Sequence, residues 1–356
     1  MIDLDDPGAL READPSGMLQ TVLALPGQCA EGYRSGLTAP ELPSGDSISA
    51  VVVCGMGGSG VAGDVLAALY LDRIGVPIVV VKNPVLPEFA GKDVLVVCSS
   101  YSGNTAETLA CFEEAMHRGC RLVAVSSGGD LARRAGQEDV PVVSVPQGIV
   151  SPRAAVGHLS FGVLGALEAA GVLPPLGSEV DGCARALERL AGEIDPFRPL
   201  GENPAKDLAV EIGGARTPVI WGAEGPGAVA ALRWKTQLNE NAKVPAFHAA
   251  LPELDHNEVV GWSKDAGAGF FLVTLRHGDE HVDVAARFDV SVEVVAGSGL
   301  LHREIRAAAG SPLADLMWLI MLGDATSVFL GCLRGFDPSP IEAIDRIKRT
   351  LEERSE

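Results

Sequence analysis

Apolar residues along this chain follow two alternating patterns from about residue 50 onward. Short runs rich in β-branched residues are typical of buried parallel strands, and longer stretches with apolar residues three and four positions apart are typical of helices. The runs predicted as strands in the first half are 51–54, 77–81, 94–98, 122–125 and 142–145. Helical patterns separate them, after Gly60, at 104–117 and near Leu131. This alternation predicts a doubly wound parallel sheet.

The same alternation returns in the second half of the chain. Predicted strands lie at 218–221, 244–247, 270–275 and 290–295, and predicted helices at 205–212, 228–241 and near 253–260. Further helical patterns cover 152–170, 180–194, 312–333 and 340–353. A glycine-rich turn follows the strand at 218–221, as one follows the strand at 51–54, so the chain is predicted to hold two copies of one architecture.

These patterns divide the chain into four predicted parts. An N-terminal helical extension at 1–49 contains one helix around 15–33 and a loop rich in Pro, Ser and Gly. A first α/β domain at 50–173 and a second α/β domain at 205–356, which ends in helices, flank a proline-rich linker helix region at 174–204. Each domain is expected to be a three-layer αβα sandwich.

Composition narrows the class of protein. The chain has 356 residues, 47% of them apolar and 21% charged, which is typical of a folded globular protein. A net charge of −19 argues against a nucleic-acid or anionic-membrane partner. The apolar stretch at 312–333 contains Asp315 and Asp324, which favours a buried core helix over a membrane span. Scattered cysteines and an acidic N-terminus without signal-peptide features predict a cytoplasmic protein.

The glycines after the first predicted strand fit the pattern G-x-G-x-x-G as Gly55, Gly57 and Gly60. They permit close approach of a ligand to the free N–H groups that begin the next helix, although a tight turn without a ligand has the same pattern. A dinucleotide site would need an acidic residue at the end of the second strand. Lys82 and Asn83 stand there instead, which disfavours NAD and leaves a weak case for NADP.

A second polar loop lies at the end of the predicted strand at 94–98. Ser100, Tyr101, Ser102 and Thr105 place four hydroxyls within six residues, just before a helix. A phosphomonoester accepts several hydrogen bonds and favours the positive end of a helix dipole. A helix cap is the simpler alternative, but a cap needs only one hydroxyl, so the loop favours phosphate binding.

The two loops together, Gly57-Gly-Ser59 and Ser100-Tyr-Ser-Gly-Asn-Thr105, resemble the sugar isomerase (SIS) family of phosphosugar-binding domains. Pro152-Arg-Ala-Ala155, Asn239-Glu-Asn-Ala-Lys243 and Glu253-Leu-Asp-His-Asn-Glu258 resemble its bifunctional phosphoglucose/phosphomannose isomerase branch. The resemblance implies two SIS domains, a homodimer with a shared active site, and interconversion of glucose 6-phosphate or mannose 6-phosphate with fructose 6-phosphate. It also implies a cis-enediol intermediate and no metal or other cofactor.

The resemblance also implies a role for individual residues. Glu240 would be the base that moves a proton between C1 and C2, and Arg153 would lie near the enediolate. His256, supplied by the neighbouring subunit, would assist ring opening, and Lys348 would lie beside the sugar. The phosphate would be bound by Gly57, Gly58, Ser59, Ser100, Ser102 and Thr105.

Each catalytic candidate also has a structural explanation. Glu240 could be an exposed carboxylate at a helix end, His256 a helix cap and Lys348 a solvated charge. Arg153 at a helix start opposes the helix dipole unless an anion lies nearby. His277 and His281 form a short polar cluster that favours a turn over a metal site.

Two rival functions stay open at this stage. A non-catalytic sugar-phosphate sensor would need the two phosphate loops but no proton-transfer pair, and an NADP-dependent reductase would need a nucleotide site.

Overall fold

The computed structural model describes residues 2–214 and 216–355. Three N-terminal helices come first: α1 (Pro7–Ala13), α2 (Met18–Leu23) and α3 (Leu25–Leu37). The single helix predicted around 15–33 is therefore two helices. Gly17, with a φ of 72°, precedes α2, and Pro26 lies in the first turn of α3, where its missing N–H breaks no hydrogen bond.

The first half of the chain forms the predicted parallel sheet. Its elements are β1 (Ala50–Cys54), α4 (Gly57–Tyr70), β2 (Ile78–Val81), β3 (Val94–Ser99), α5 (Ala106–His117), β4 (Arg121–Ser126), α6 (Gly129–Gln137) and β5 (Val142–Ser144). The strand order is β2-β1-β3-β4-β5, with every pair parallel. The winding of the chain therefore reverses between β1 and β3.

The second half repeats this topology after a helical segment. A 3₁₀ turn (Pro152–Ala155), α7 (Val156–Ala169) and α8 (Gly177–Glu193) lead into α9 (Pro204–Gly213), β6 (Thr217–Ala223), α10 (Pro226–Glu240), β7 (Phe247–Leu251), β8 (Phe270–Arg276), α11 (Val282–Ala296), β9 (Leu301–Arg306), α12 (Pro312–Leu333) and α13 (Glu342–Ser355). The parallel order β7-β6-β8-β9 matches β2-β1-β3-β4, so the predicted repeat of two doubly wound sheets is confirmed.

Several predicted elements of the second half were wrong. Residues 290–295 belong to α11, in which Val290 and Val294 are exposed on a helix surface. β9 was missed because only Ile305 of its six residues is buried, so it lacks an apolar run. The strand predicted at 244–247 begins only at its last residue, and 253–260 forms two 3₁₀ turns instead of a helix.

A layer of helices is shared between the two sheets and carries most of the core. Val51 and Val53 of β1 face one large apolar cluster together with Val273 of β8 and residues of α7, α8, α10 and α12. Among the described residues, α12 is the one helix long and apolar enough to cross a membrane, and 94% of its most apolar window is buried inside the protein. It is a buried core helix, as the sequence predicts.

Helices α3 and α7 cross at backbone contact. A Cβ added at Gly36 would lie 2.3 Å from the Gly162 carbonyl oxygen, and one at Gly165 would lie 2.2 Å from the Tyr33 carbonyl oxygen. About two turns before Gly36, the Gln28 Nε2 donates to the Ala154 carbonyl oxygen at 2.9 Å. The N-terminal extension thus supports the 3₁₀ turn that precedes α7.

We predict that Gly36→Ala destabilises the protein by about 1–3 kcal/mol, because the added methyl group forces α3 and α7 apart. Chemical denaturation measures the change. Gly27→Ala in the same helix is the control, since a Cβ there meets no atom within 4 Å. It should leave stability unchanged or raise it by up to about 1 kcal/mol. Equal effects of the two substitutions would contradict the close crossing.

Candidate active site

Two loops meet where β1 and β3 end side by side. Ligands of open α/β sheets bind in this kind of crevice, at the carboxyl ends of strands where the winding reverses. Ser59, in the first turn of α4, accepts a hydrogen bond from the Tyr101 N–H at 3.0 Å through its Oγ. Its hydroxyl therefore joins the two predicted phosphate loops, and it is buried.

The hydroxyls of the second loop are arranged around a tight turn. The Ser100 Oγ lies 2.9 Å from the Thr105 Oγ1 and accepts from the Gly103 N–H at 3.1 Å. Thr105 is the N-cap residue of α5, yet its side chain makes no capping hydrogen bond. The first N–H groups of α5 therefore lack the cap proposed as the simpler explanation. Ser102 is exposed and accepts from the Asn104 N–H.

Glycine at position 58 allows the two halves of the site to touch. A Cβ there would lie 2.6 Å from the Arg153 Cα, closer than side-chain atoms approach. The start of α4 is therefore packed on the backbone of the 3₁₀ turn that contains Arg153. No larger residue fits at this contact without moving one of the two segments.

The Arg153 guanidinium is buried and has five hydrogen-bond acceptors. These are the Asn241 Oδ1 (2.8 Å), the Ser151 Oγ (2.7 Å), the Glu240 Oε2 (3.3 Å) and the carbonyl oxygens of Pro338 (2.9 Å) and Ser339 (3.1 Å). Burial lowers the pKa of Arg153, and the Glu240 carboxylate opposes that shift. The anion that the sequence required beside Arg153 is therefore Glu240.

Behind Arg153 lies a second buried arginine. The Arg233 Nε and Nη2 donate to the two carboxylate oxygens of Asp324 at 3.0 and 2.7 Å, and Nη2 also donates to the Arg153 carbonyl oxygen at 2.7 Å. Burial raises the pKa of the Asp324 carboxyl even though Arg233 opposes the shift. This bidentate pair links α10 to α12 and holds the backbone of Arg153.

Glu240 is the last residue of α10, and its side chain is 27% exposed. It lines a cavity of about 200 Å³ together with Gly57, Gly58, Lys82 and Thr236. The cavity therefore combines the start of the first glycine loop with a carboxylate from the second domain. Lys82 forms an ion pair with Asp64, another lining residue, at 2.6 Å.

Polar residues that follow Glu240 complete the network. The Asn241 Nδ2 donates to the Ser327 Oγ at 2.9 Å, while its Oδ1 accepts from Arg153. The Lys243 Nζ donates to the carbonyl oxygens of Glu240, Pro338 and Pro340. Burial, followed by repulsion from Arg153, lowers the pKa of Lys243.

The structure does not bring His256 and Lys348 to this cavity within one chain. His256 ends an exposed 3₁₀ turn after β7, and its ring makes no hydrogen bond or ion pair with the described residues. Lys348 lies on α13, where each residue from Glu342 to Arg349 is exposed. Of the predicted catalytic residues, only Arg153 and Glu240 are in contact.

The supporting residues Arg233, Asn241 and Lys243 were not predicted from the sequence. One signal pointed to part of the network: Asp324 lies within an apolar helix, and a buried carboxylate needs a cationic partner. The pattern of the chain does not identify that partner, because Arg233 is 91 residues away.

Comparison with known proteins places the chain among sugar-phosphate enzymes. Residues 201–351 match the model of the bacterial phospho-glucose isomerase C-terminal SIS domain. The chain is 33% identical to a bifunctional phosphoglucose/phosphomannose isomerase of Caldicellulosiruptor bescii, over 94% of this chain and 99% of that protein. It is 37% identical to the protein of the same name from Aquifex aeolicus, over 85% and 90%. The fold matches a solved protein of Thermus thermophilus with a TM-score of 0.75 and 18% identity, over 98% and 94%.

We predict that Asp324→Asn destabilises the protein by about 3–5 kcal/mol, because it leaves the Arg233 guanidinium buried without its counter-ion. Urea denaturation at neutral pH measures the loss. Asp289→Asn is the matched control, since Asp289 also pairs with a buried arginine, Arg276, but its own side chain is 74% exposed. The control should change stability by less than about 1 kcal/mol. A loss at position 324 no larger than that of the control would show that the pair does not hold α10 on α12.

Proposed function

The chain belongs to the bifunctional phosphoglucose/phosphomannose isomerase family, and on that premise we propose that it interconverts glucose 6-phosphate and mannose 6-phosphate with fructose 6-phosphate. It is an aldose–ketose isomerase built from two SIS domains. The observation that carries the proposal is the hydrogen bond from Arg153 to Glu240. Glu240 lines the same cavity as Gly57 and Gly58 of the first glycine loop.

The reaction needs a base that removes the proton from C2 of the open-chain aldose and returns it to C1. Glu240 suits this role, because its carboxylate is partly exposed to the cavity while one oxygen is held by Arg153. The carboxyl group that carries this proton delivers it to C1 and becomes a carboxylate again, and in the reverse direction the carboxylate takes the proton from C1 and delivers it to C2. A single base on one face of a cis-enediol therefore serves both directions.

Arg153 would stabilise the negative charge that develops on the enediolate oxygens. A fixed buried cation needs no reorganisation when that charge appears, which is the source of its catalytic effect. Its position is set on all sides by the acceptors of its guanidinium and by the packing of Gly58.

The phosphate of the substrate would bind at the crevice between β1 and β3. The hydroxyls of Ser100 and Thr105 and the uncapped start of α5 offer donors to an anion there. Ser59, Ser102 and the backbone of Gly57 and Gly58 would complete the phosphate site. Because that crevice adjoins the Glu240 cavity through the glycine loop, a hexose 6-phosphate would extend from one to the other.

The histidine would come from a second copy of the chain. A larger cleft, of about 1150 Å³, adjoins the Glu240 cavity and shares Asp64, Val229 and Leu232 with it; its lining also includes Glu253, Leu254 and Asn257, the neighbours of His256 in the same chain. Val260, four residues after His256, has an apolar side chain that is 79% exposed. A homodimer that seats the His256 turn of one subunit in the cleft of its partner would cover this surface and supply ring-opening chemistry.

The C-terminal helix would supply the last cationic group. Lys348 lies on α13, whose Ile344 and Ile347 are also exposed, at 39% and 60%. Packing of this apolar side of α13 in the dimer would bring Lys348 beside the sugar. The protein would act in the cytoplasm, where its seven cysteines stay reduced; all seven are free thiols in the structure.

We predict that Glu240→Gln lowers isomerase activity at least about 10³-fold while hexose 6-phosphates still bind, because the amide keeps the shape of the side chain but cannot accept the proton. A coupled assay with mannose 6-phosphate and with glucose 6-phosphate measures turnover, and calorimetry measures binding. Glu193→Gln is the matched control, because Glu193 is also the last residue of a helix, α8, but is exposed and does not line the cavity. Full activity of Glu240→Gln would contradict the mechanism. Binding of hexose 6-phosphates by the wild-type protein without turnover would favour the non-catalytic sensor.

Mixing two inactive variants tests the origin of the histidine. Glu240→Gln and His256→Ala subunits, exchanged by dissociation and reassociation, should regain about a quarter of wild-type activity. Half of the dimers are then mixed, and each contains one site with an intact Glu240 from one subunit and an intact His256 from the other. No regain, in mixtures shown by mass spectrometry to contain mixed dimers, would place His256 in the site of its own subunit.

A further inference from the structure

Two cationic side chains, those of Lys243 and Arg153, donate hydrogen bonds to residues 338–340, the short segment before α13. The Lys243 Nζ donates to the carbonyl oxygens of Pro338 (3.2 Å) and Pro340 (2.7 Å), and the Arg153 Nη2 donates to those of Pro338 and Ser339. The third acceptor of Lys243 is the carbonyl oxygen of Glu240 itself. Residues 338–340 are thereby tied to the end of α10, where the proposed base lies.

The number of acceptors matches a charged amine. An ammonium has three N–H donors and no acceptor, and the three carbonyl oxygens use all of them. A hydrogen bond from a charged donor is stronger than one from a neutral donor. An apolar side chain at position 243 would remove the Lys243 partner of the Glu240 and Pro340 carbonyl oxygens, while the Pro338 oxygen would keep Arg153.

The backbone at position 243 gives an independent indication that the side chain has a role. Lys243 has a φ of 55°, in the left-handed region that favours glycine and costs free energy for a residue with a Cβ. A glycine would relieve this strain. The chain nevertheless places a lysine there, so its ammonium contributes something that glycine cannot.

We propose that Lys243 is a positioning residue for the isomerase reaction. With Arg153 it forms a clamp on residues 338–340, and the clamp sets where α13 begins relative to Glu240. The effect of the clamp on kcat rests on the proposed function, because this effect arises only if α13 places Lys348 beside the sugar and Glu240 transfers the sugar's proton.

The clamp explains how α13 can start at a fixed position although the helix is exposed. From Glu342 to Arg349 every residue of α13 is exposed in the single chain, so packing within the chain does little to fix the helix. Arg153 and Lys243 instead fix its starting point, just before Glu342. The same arginine contacts Glu240, so the base and the start of α13 share one support.

Three variants test the clamp in the full-length protein. Lys243→Met removes the ammonium, Lys243→Arg keeps a charged donor, and both retain the Cβ that causes the backbone strain. Lys92→Met is the control, because Lys92 is exposed and precedes β3 at the opposite edge of the sheet from the site. Two readouts are compared: kcat and KM for mannose 6-phosphate, and the rate of tryptic cleavage at Arg346, Lys348 and Arg349 in α13.

We expect Lys243→Met to lower kcat about 10- to 100-fold, the effect of displacing a group near the chemistry by about 1 Å. KM should change much less, because the phosphate loops are untouched. Cleavage within α13 should become several-fold faster. Lys243→Arg should largely restore both readouts, and Lys92→Met should alter neither.

Three results would overturn the proposal. Faster cleavage with an unchanged kcat would make the clamp a structural feature only. A lower kcat with unchanged cleavage would assign Lys243 a direct role at the substrate. Failure of Lys243→Arg to restore either readout would exclude charge-assisted bonding to the carbonyl oxygens. If the wild-type protein turned over no hexose 6-phosphate, the proposed function would fail, but the cleavage rates would still decide whether the clamp holds α13.

Discussion

The buried guanidinium of Arg153 is the constraint on which the rest of the site depends. A buried cation is tolerated only when its donors find acceptors. The acceptors of Arg153 come from Ser151, which caps the 3₁₀ turn, from the end of α10 and from the segment before α13. These segments are far apart in sequence and belong to both halves of the fold. Satisfying one side chain therefore brings together the glycine loop, the proposed base and the C-terminal helix. The Arg233–Asp324 pair holds the backbone of Arg153, because the Arg233 Nη2 also donates to the Arg153 carbonyl oxygen.

Two copies of one topology have different chemistry at their crevices. At the end of β3 the first copy has hydroxyls and an uncapped helix, which suit an anion. At the equivalent place in the second copy, Arg276 at the end of β8 is held by both carboxylate oxygens of Glu280, and both side chains are buried. An internal ion pair thus satisfies the Arg276 guanidinium at the second crevice. The second copy contributes Glu240 at the far end of α10 instead, so the proposed phosphate site and the proposed base lie in different halves of the chain.

Sequence reasoning was most accurate where the physical cause is local. Buried β-branched runs identified the first sheet, and glycines followed by hydroxyls identified the loops after β1 and β3. It failed where burial depends on distant parts of the chain: β9 has a mostly exposed surface, and the valines of α11 occupy a helix surface that no local pattern distinguishes from a strand. The contact of Arg153 with Glu240 joins residues 87 positions apart. Only the resemblance to a family placed these two residues in one site, and the clamp formed by Lys243 was visible only in three dimensions.

The central claim is that a carboxylate transfers a proton between C1 and C2 of a hexose 6-phosphate. Incubating fructose 6-phosphate with the chelator-treated protein in D₂O, followed by nuclear magnetic resonance of the products, tests it most directly. The account predicts glucose 6-phosphate and mannose 6-phosphate that carry deuterium at C2, because the proton on Glu240 exchanges with solvent while the enediol is bound. Products without any deuterium, formed at an unchanged rate by the Glu240→Gln variant, would indicate direct hydride transfer and would contradict the account.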